Sequence, residues 1–292
     1  MFRRERFRLH LRSRTLILGE RTLVMGVLNI TPDSFSDGGA YLDSGAAVAR
    51  ALQIEHDGAD ILDVGGESTR PGAAPVAVEE ELRRILPVIQ ILRSKLRIPM
   101  SVDTRRADVA EAALDAGAEI LNDVSALRMD ARLGEVARRA RAPLILMHMR
   151  GTPQTMQRGP FARDIVRDAM AGLRDAVARA KRAGLPKTQL LLDPGIGFGK
   201  KHEQNFEILA RLPEFARLAC PIVIGTSRKA FLGKALVGSG DPSAPPGERL
   251  LGTAATVTAS ILGGAHIVRV HDVVEMVRVV RVADHVVNAA GS

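Results

Sequence analysis

Three polar side chains stand where apolar, β-rich runs of this sequence end, and together they have the chemistry to bind a flat heterocycle. Asp103 ends the run SVD, Asn122 lies in LND, and Asp193 ends LLLD. Carboxylates and carboxamides accept hydrogen bonds from ring N–H and amino groups, and burying carboxylates is costly without such donors. The set predicts a site for a small ring system rich in N–H groups. For Asp103, which precedes Thr104, a helix N-cap is a competing interpretation.

A second group of residues has the chemistry to bind phosphate. Segment 63–72, DVGGESTRPG, places Thr69 and Arg70 after two adjacent glycines, which let the backbone approach a ligand closely. Arginine offers a forked set of donors that suits phosphate. Arg269 and His271 stand at the end of the last β-rich run, a place where barrel enzymes often bind phosphate. A polar surface turn is the competing interpretation of Arg70.

Asn29 and Asp37 are candidate ligands for Mg²⁺, because this ion takes oxygen ligands and often shares them with phosphates. His148 ends another β-rich run, and a structural and a functional role are equally open for it. The sequence has no CxxC, HExxH or GxSxG pattern, and GFGK after Asp193 lacks the spacing of a Walker A loop. The motifs therefore favour binding and charge stabilisation over metal-hydrolase or serine-nucleophile chemistry.

These residues need a fold that brings strand ends together, and the order of the runs predicts one. Apolar runs end abruptly at a polar residue again and again, and helix-like segments separate most of them. This alternation is typical of the α/β class and of a (β/α)8 TIM barrel in particular. We expect one barrel of residues 21–292, with residues 1–20 forming a short N-terminal strand or hairpin extension that packs on the barrel. The run ends are Asn29, Asp63, Asp103, Asp123, His148, Asp193, Ser227 and His271.

Two helix predictions bear on the fold and the assembly. Residues 203–217 are predicted to form one continuous helix, and residues 253–265 form an apolar helix. A helix that is apolar almost all round is either deeply packed or part of an oligomer interface. We therefore expect a homodimer that forms through outer helices. The N-terminal arginines alternate with Phe7, Leu9 and Leu11, which indicates an exposed hairpin.

Composition limits the class of protein. The chain has 292 residues, 46% of them hydrophobic and 25% charged, which is typical of a globular protein. The lone cysteine, Cys220, rules out an intramolecular disulfide, and without a secretory leader or membrane-length apolar run we expect a cytoplasmic protein. The net charge of +8 raises the possibility of nucleic-acid binding, but one Tyr and no Trp leave few stacking surfaces. We expect neither a nucleic-acid nor a membrane partner.

The chain resembles bacterial dihydropteroate synthase, a family of pterin-binding TIM barrels in the folate pathway. The resemblance extends over nearly the whole predicted barrel, and the motifs occur in the order of that family. The matching stretches are NITPDSFSDGG (29–39), DVGGESTRPGA (63–73), SVDT (101–104), LNDVS (121–125), LMHMRGTPQTMQ (146–157), DPGIGFGK (193–200), GTSRK (225–229) and RVHDV (269–273).

The resemblance implies that 4-aminobenzoate displaces pyrophosphate from a dihydropterin-CH₂-diphosphate and gives 7,8-dihydropteroate, with Mg²⁺ as cofactor. By this likeness the pterin is bound by Asp103, Asn122, Asp193, Lys229 and Met147. The diphosphate is bound by Thr69, Arg70, Arg269, His271 and Asn29. The aminobenzoate lies against Ser227, Phe198 and Thr69, and the Mg²⁺ ligands are Asn29 and Asp37. The residues expected to act in catalysis are Lys229, Arg70 and Asp103.

Two alternatives keep the pterin and change the function. A pterin-dependent methyltransferase barrel also presents Asp and Asn to a pterin, but it has no need to bind pyrophosphate. Arg70 and Arg269 therefore argue against it. A non-catalytic paralogue that only binds a pterin is expected to have lost site residues, whereas this sequence keeps the full set.

Overall fold

The computed structural model describes residues 4–31, 44–68, 72–238 and 240–289. Its centre is an eight-stranded parallel sheet whose strands are buried almost throughout. Strands covered on both faces need apolar residues at nearly every position, which explains the continuous apolar runs. In chain order the strands are β1 (Phe7–His10), β2 (Thr15–Leu18), β3 (Leu23–Asn29), β4 (Ile61–Gly65), β5 (Met100–Asp103), β6 (Ile120–Asp123), β7 (Leu144–Met147), β8 (Leu190–Asp193), β9 (Val223–Ile224) and β10 (Ile267–Val270).

The parallel sheet closes into a barrel. Its strand order is β8-β7-β6-β5-β4-β3-β10-β9, so consecutive strands are neighbours around the ring. A bridge between Leu192 and Ile222 joins the two ends of the sheet. The backbone N–H of Leu192 also donates to the carbonyl of Pro221 at 2.9 Å. The predicted TIM barrel is confirmed, and its strands' carboxyl ends meet at one mouth.

Helices follow the strands and cover the outside of the barrel. The helices of the described residues are α1 (Ser44–His56), α2 (Val78–Leu92), α3 (Ala107–Ala116), α4 (Arg132–Ala140), α5 (Ile165–Arg182), α6 (His202–Ala210), α7 (Ala230–Ala235), α8 (Leu250–Leu262) and α9 (Val273–Ala289). None of the described helices is long and apolar enough to cross a membrane.

Three features depart from the helix predictions. The helix expected over 203–217 is interrupted, because α6 ends at Ala210 and a separate 3₁₀ turn follows at Leu212–Leu218. Pro213 explains the break, since proline has no N–H to continue the helical bonds. The helix expected at 253–265 starts earlier and ends at Leu262, before two glycines. The short helix α7 was not predicted, because its six residues are too few to show a period.

The N-terminal hairpin of β1 and β2 covers the barrel's amino-terminal end. One face of this hairpin packs on the barrel, and the other face is exposed. Leu9, Leu11 and Leu18 are buried against apolar residues at the starts of the barrel strands, while Arg8 points to solvent. Alternation places successive side chains on opposite faces of a strand. The apolar partners at the strand starts are Leu23, Met25, Ile61, Ile120, Ile145, Leu191, Val223 and Ile267.

A buried ion pair ties the segment before this hairpin to the end of the chain. Arg4 donates to Asp284 of α9 at 2.5 Å, and the Arg4 side chain is only 1% exposed. Asp284 also accepts from the backbone N–H of Thr22 at 2.7 Å. Removing one partner of such a pair typically costs about 3–5 kcal/mol, because a buried charge is left unpaired. The N-terminal segment is thus integrated into the barrel's packing.

Candidate active site

Strand register brings the predicted polar residues side by side at the barrel mouth. Asp103 of β5 pairs in register with Asn122 of β6, and Met147 of β7 pairs with Asp193 of β8. Asp103 also pairs in register with Gly65 of β4. These residues occupy the last position or the last two positions of their strands. The sequence spacing therefore becomes one contiguous surface only when the barrel closes.

Arg269 joins two carboxylates from neighbouring strands. Its Nε donates to Asp63 Oδ2 at 2.6 Å, and its Nη2 donates to Asp103 Oδ2 at 2.9 Å. Asn122 Nδ2 donates to the same oxygen of Asp63 at 3.1 Å. Arg269 was predicted to bind the diphosphate, and the structure also makes it the counter-ion of this carboxylate pair. Asp63 was not among the predicted site residues, although it ends an apolar run in the sequence. In the structure β4 continues to Gly65, so Asp63 lies two residues deeper in its strand than Asp103 does in β5.

The carboxylate pair keeps two acceptor oxygens that no described residue uses. Asp63 Oδ1 and Asp103 Oδ1 are both buried, and neither has a hydrogen-bond donor among the described residues. Burial raises the pKa of Asp103 to about 7, against the opposing charge of Arg269 and with a further contribution from the nearby Asp63. A buried acceptor without a donor costs about 1–3 kcal/mol. A ligand that brings N–H groups to these oxygens would remove that cost.

Asp193 and Lys229 form the opposite side of the pocket. Burial raises the pKa of Asp193, and the ammonium of Lys229 acts against that shift. Burial lowers the pKa of Lys229 to about 8, and Asp193 opposes this in turn. The Lys229 ammonium donates to the carbonyl of Ile196 and lies 4.7 Å from the centre of the Phe198 ring. A carboxylate, an ammonium and an aromatic face therefore converge here.

The turn after β9 points its residues in different directions. Arg228 adopts a φ of 58°, and its guanidinium pairs with Asp272 while Ser227 and Lys229 face the mouth. A non-glycine residue in this region costs about 1–3 kcal/mol and persists only when its surroundings hold it. Ser227 Oγ accepts from the backbone N–H of His271 at 3.1 Å and lies 3.0 Å from its Nδ1. Two residues predicted for different substrates are thus in direct contact.

An apolar cluster lines one wall of the mouth. Met147 is 3% exposed and packs with Val124, Met149 and Met156, and Phe198 lies against this group. Met147 was predicted to contact the pterin and Phe198 the aminobenzoate. Their packing into one cluster places the two predicted binding areas next to each other. An aromatic ring with a cation on its face is also a favourable contact for a planar ligand.

Two aspartates at strand ends differ in role. Asp123 accepts from the backbone N–H groups of Ser125 and Leu127 at 2.7 and 2.6 Å, so it stabilises the turn after β6. Asn122, on the other face of the strand, points to the pocket. The N-cap interpretation of Asp103 is not supported, because the residue before α3 is Arg106 and the carboxylate of Asp130 accepts from Ala107 N. Successive side chains of a strand point to opposite faces, which explains why Asn122 faces the pocket and Asp123 does not.

Three predicted residues, Thr69, Arg70 and Asp37, lie outside the described residues. Asn29 ends β3, and its Oδ1 lies 3.7 Å from the position that a Cβ on Gly65 would take. The predicted diphosphate and metal sites are therefore represented in the described structure by Asn29, Arg269 and His271.

His148, whose role the sequence left open, belongs to a buried network behind the mouth. Its Nε2 lies 3.3 Å from Asp168 Oδ2, and Lys200 Nζ lies 3.1 Å from its Nδ1. Burial lowers the pKa of His148 to about 4 and that of Lys200 to about 7. A cleft of about 530 Å³ between α5 and the loop after β7 is lined by His148 and Asp168. Asp63, Asp103 and Asp193 do not line it. Sequence reasoning missed Lys200, although its position in GFGK beside Phe198 was visible.

Known proteins are similar to this chain over most of its length. Residues 25–271 match the family model described as pterin binding enzyme. A dihydropteroate synthase from Synechocystis sp. is 48% identical over 266 residues, which are 91% of this chain and 90% of that protein. The solved structure of Xanthomonas albilineans dihydropteroate synthase with 4-aminobenzoic acid is 41% identical, has a TM-score of 0.88, and covers 97% of this chain and 98% of that one. The structure of a complex of the X. albilineans enzyme with 7,8-dihydropteroate is 39% identical, has a TM-score of 0.84, and covers 96% of this chain and 98% of that one. The chain belongs to the dihydropteroate synthase family of pterin-binding enzymes.

Proposed function

We propose that this chain joins 4-aminobenzoate to a dihydropterin-CH₂-diphosphate, releasing pyrophosphate and forming 7,8-dihydropteroate. The observation that carries the proposal is the pair of buried acceptors, Asp63 Oδ1 and Asp103 Oδ1, beside an amide and a second carboxylate. A pterin presents ring N–H and amino groups that match acceptors of this kind. The X. albilineans relative, solved with 4-aminobenzoic acid and with 7,8-dihydropteroate, supports the choice of substrate and product.

The pterin pocket in this proposal consists of Asp103, Asn122, Asp193, Lys229 and Met147, to which the structure adds Asp63. The two carboxylates beside Arg269 accept from the pterin's N–H groups. Lys229 donates to a ring acceptor while Asp193 neutralises its charge. Because the groups are buried and held by the barrel strands, they keep their orientation during the reaction, which is the basis of electrostatic catalysis.

The chemistry follows from the substrates. The electron-rich pterin lets the CH₂–O bond break ahead of attack, so that positive charge spreads into the ring and negative charge leaves with pyrophosphate. Asp103 favours the cationic ring, while Arg70, Arg269, His271 and Thr69 bind the departing diphosphate. The amine nitrogen of the aminobenzoate is already a nucleophile. No strong general base is therefore required, and the amine proton can pass to solvent or to pyrophosphate.

Mg²⁺ fits the donor chemistry of this site. Asn29 offers a carboxamide oxygen at the mouth, and Asp37 is the second proposed ligand. No group of three or more His, Cys, Asp or Glu side chains that could hold a metal occurs in the described ranges. Mg²⁺ needs only one or two protein oxygens beside waters and substrate phosphates, which Asn29 and Asp37 would supply. When bound, the ion would neutralise charge on the diphosphate.

The aminobenzoate is proposed to lie against Phe198, with Ser227 and Thr69 at its carboxylate end. Ser227 Oγ accepts from His271 N and lies 3.0 Å from His271 Nδ1. When that ring nitrogen is the donor, the Ser227 hydroxyl proton can turn to an anionic group. The cation over the Phe198 ring belongs to Lys229, so the two substrates share one boundary residue. In this proposal the amine therefore lies next to the pterin methylene.

The first test is an assay of purified protein with the pterin diphosphate, 4-aminobenzoate and Mg²⁺. Pyrophosphate and 7,8-dihydropteroate should form in equal amounts and only when all three are present. Lys229→Ala should lower kcat/KM by about 100-fold or more, as the loss of a buried catalytic charge does. Lys234→Ala, which removes an exposed lysine on the following helix, is the matched control.

Pterin binding without product would refute the synthase and favour a non-catalytic or methyl-transfer protein. Absence of pterin binding would refute all three. Full activity in Lys229→Ala would remove that residue from the mechanism.

We also propose that the chain forms a homodimer through α8 and α9. Leu251 of α8 is 77% exposed, and Val282 and Val286 of α9 are 67% and 50% exposed. These two helices pack against each other, so their exposed apolar residues lie on one side of the barrel. Apolar residues concentrated in this way are typical of interaction sites.

Leu251→Glu should convert the dimer to a monomer in light scattering, because a charge in an apolar interface is strongly disfavoured. Ile91→Glu is the control, since Ile91 is also exposed, at 38%, but lies on α2. A wild-type protein that is monomeric at micromolar concentration would contradict the proposal.

The cytoplasm is the proposed compartment. Cys220 is a buried free thiol, 2% exposed, and burial raises its pKa. A chain that uses no disulfide is suited to a reducing environment. Fractionation of cells that express the tagged protein tests this assignment.

A further inference from the structure

Lys200 is a buried cation that the proposed reaction does not use. The residue is 3% exposed, and its ammonium is held by neutral acceptors. It donates to the carbonyl of Phe198 at 3.0 Å and to the carbonyl of His148 at 3.4 Å, and it lies 3.1 Å from His148 Nδ1. Burying an ammonium is costly. We therefore expect a lysine at this position to have a role that an apolar side chain could not fill.

The segment held by Lys200 lies directly on the chain that follows β7. Gly195, with a φ of 70°, would place a Cβ 1.8 Å from the carbonyl oxygen of His148. Gly199, with a φ of 67°, would place one 2.6 Å from the carbonyl of Arg150. Neither position can take a side chain without moving the backbone. The two glycines make the close approach possible, and Lys200 links the two segments with hydrogen bonds.

His148 is itself fixed in a way that suits this contact. Its Nε2 faces Asp168, which accepts from Arg150 at 2.6 Å. Because burial lowers the pKa of His148 to about 4, the ring is neutral at pH 7. In the tautomer that carries its proton on Nε2, the ring presents a donor to Asp168 and the lone pair of Nδ1 to the Lys200 amine.

Two lysines thus hold the short segment that carries Phe198. Lys229 donates to the carbonyl of Ile196 from the mouth side, and Lys200 donates to the carbonyl of Phe198 from the β7 side. Phe198 is the residue proposed to form the wall of the aminobenzoate site. The position of its ring is therefore set by bonds made on both sides of it.

We propose that Lys200, held by His148, is a positioning residue that fixes Phe198 and so determines affinity for the aminobenzoate. The inference rests on the proposed function, because it assigns the Phe198 wall to that substrate. Lys200 itself touches neither substrate, and its loss should act on one substrate much more than on the other.

The test compares Lys200→Met with Lys201→Met in steady-state kinetics. Methionine keeps the length of the side chain and removes the ammonium, and exposed Lys201 is the matched control in the same segment. Lys200→Met should raise the KM for 4-aminobenzoate by about tenfold, the loss expected for one charge-assisted hydrogen bond. The KM for the pterin diphosphate and the kcat should change less than about twofold. Lys201→Met should leave all three unchanged.

A spectroscopic signal separates positioning from general stability. The chain has no tryptophan, so Phe198→Trp introduces a single tryptophan at the wall itself. With Lys200 present the tryptophan should emit at short wavelength, and adding Lys200→Met should shift its emission to the red. The melting temperature of each variant is measured in parallel. Lys200→Gln, which keeps a donor, should recover part of the aminobenzoate affinity, and it decides the question if Lys200→Met does not fold.

The outcomes are distinct. An equal rise in both KM values, a fall in kcat alone, or kinetics and emission identical to those of the parent protein would each overturn the positioning role. Wild-type protein that forms no 7,8-dihydropteroate would overturn the proposed function instead.

Discussion

The two ends of this barrel are built on the same strands but by different chemistry. At the amino-terminal end, Leu9, Leu11 and Leu18 of the hairpin pack on apolar strand residues and form a buried hydrophobic cluster. At the carboxyl-terminal end, Asp63, Asp103 and Arg269 are brought together, and two carboxylate oxygens stay without a donor among the described residues. One end gains free energy of folding by burial, whereas the other keeps a cost that a ligand can remove.

The difference shows how a single barrel separates stability from function. Fully burying a leucine side chain contributes about 1.5–3 kcal/mol, so the hairpin stabilises the fold without touching the site. The buried carboxylate of Asp103 at the mouth opposes folding, because desolvation and the neighbouring Asp63 disfavour its charged form. Variants at the two ends should therefore move stability and activity independently.

The largest effect on stability is expected at the hairpin. Leu18→Ala should lower the free energy of unfolding by about 2–5 kcal/mol, because it leaves a cavity in a fully buried cluster. Urea unfolding measures the loss, and the KM values of the folded protein should be unchanged. Ile17→Ala, one residue away and 36% exposed, is the control and should change stability by less than about 0.5 kcal/mol. Altered substrate affinity in Leu18→Ala would break the separation of the two ends.

The next largest effect is expected at the mouth, where a substitution should lower activity without lowering stability. Asp103→Asn keeps the shape of the side chain and should lower turnover by about 100-fold, the usual loss for one preorganised electrostatic group. Its melting temperature should not fall, because one of two buried carboxylates becomes neutral while Arg269 keeps Asp63. Asp108→Asn, at an exposed surface, is the control. A less stable but fully active Asp103→Asn would contradict the comparison.

Asp103→Asn also tests the comparison through the pH dependence of stability and activity, where we expect the smallest effect. Burial raises the pKa of Asp103 from 3.8 to about 7, so the folded state binds this proton more tightly than the unfolded chain does. Protonation therefore stabilises the folded protein, and this contribution is lost as pH rises from about 4 to 7. Activity, which needs the carboxylate, should rise over the upper part of that range. Both slopes should be flatter in Asp103→Asn when unfolding and kcat/KM are measured across pH.

Much of this could be predicted from the sequence, because the information is local. Apolar runs with abrupt polar ends predicted the barrel, since strands covered on both faces need continuous apolar residues. The ends of these runs predicted Asp103, Asn122 and Asp193 as site residues, and the strand register places the three around one mouth. Family motifs named Lys229, Phe198 and Ser227, which have contacts at that mouth, although their roles toward the substrates stay predictions.

Pairings between distant segments were decided only by the tertiary structure. Arg269 lies far from Asp63 and Asp103 in the chain, and barrel closure brings its guanidinium onto both carboxylates. The contact of Lys200 with His148 depends in the same way on how two loops approach. Charge and burial set the pKa of each group, and neither is defined until the chain is folded. The sequence by itself determined which residues end the strands, and only packing determined which of them meet.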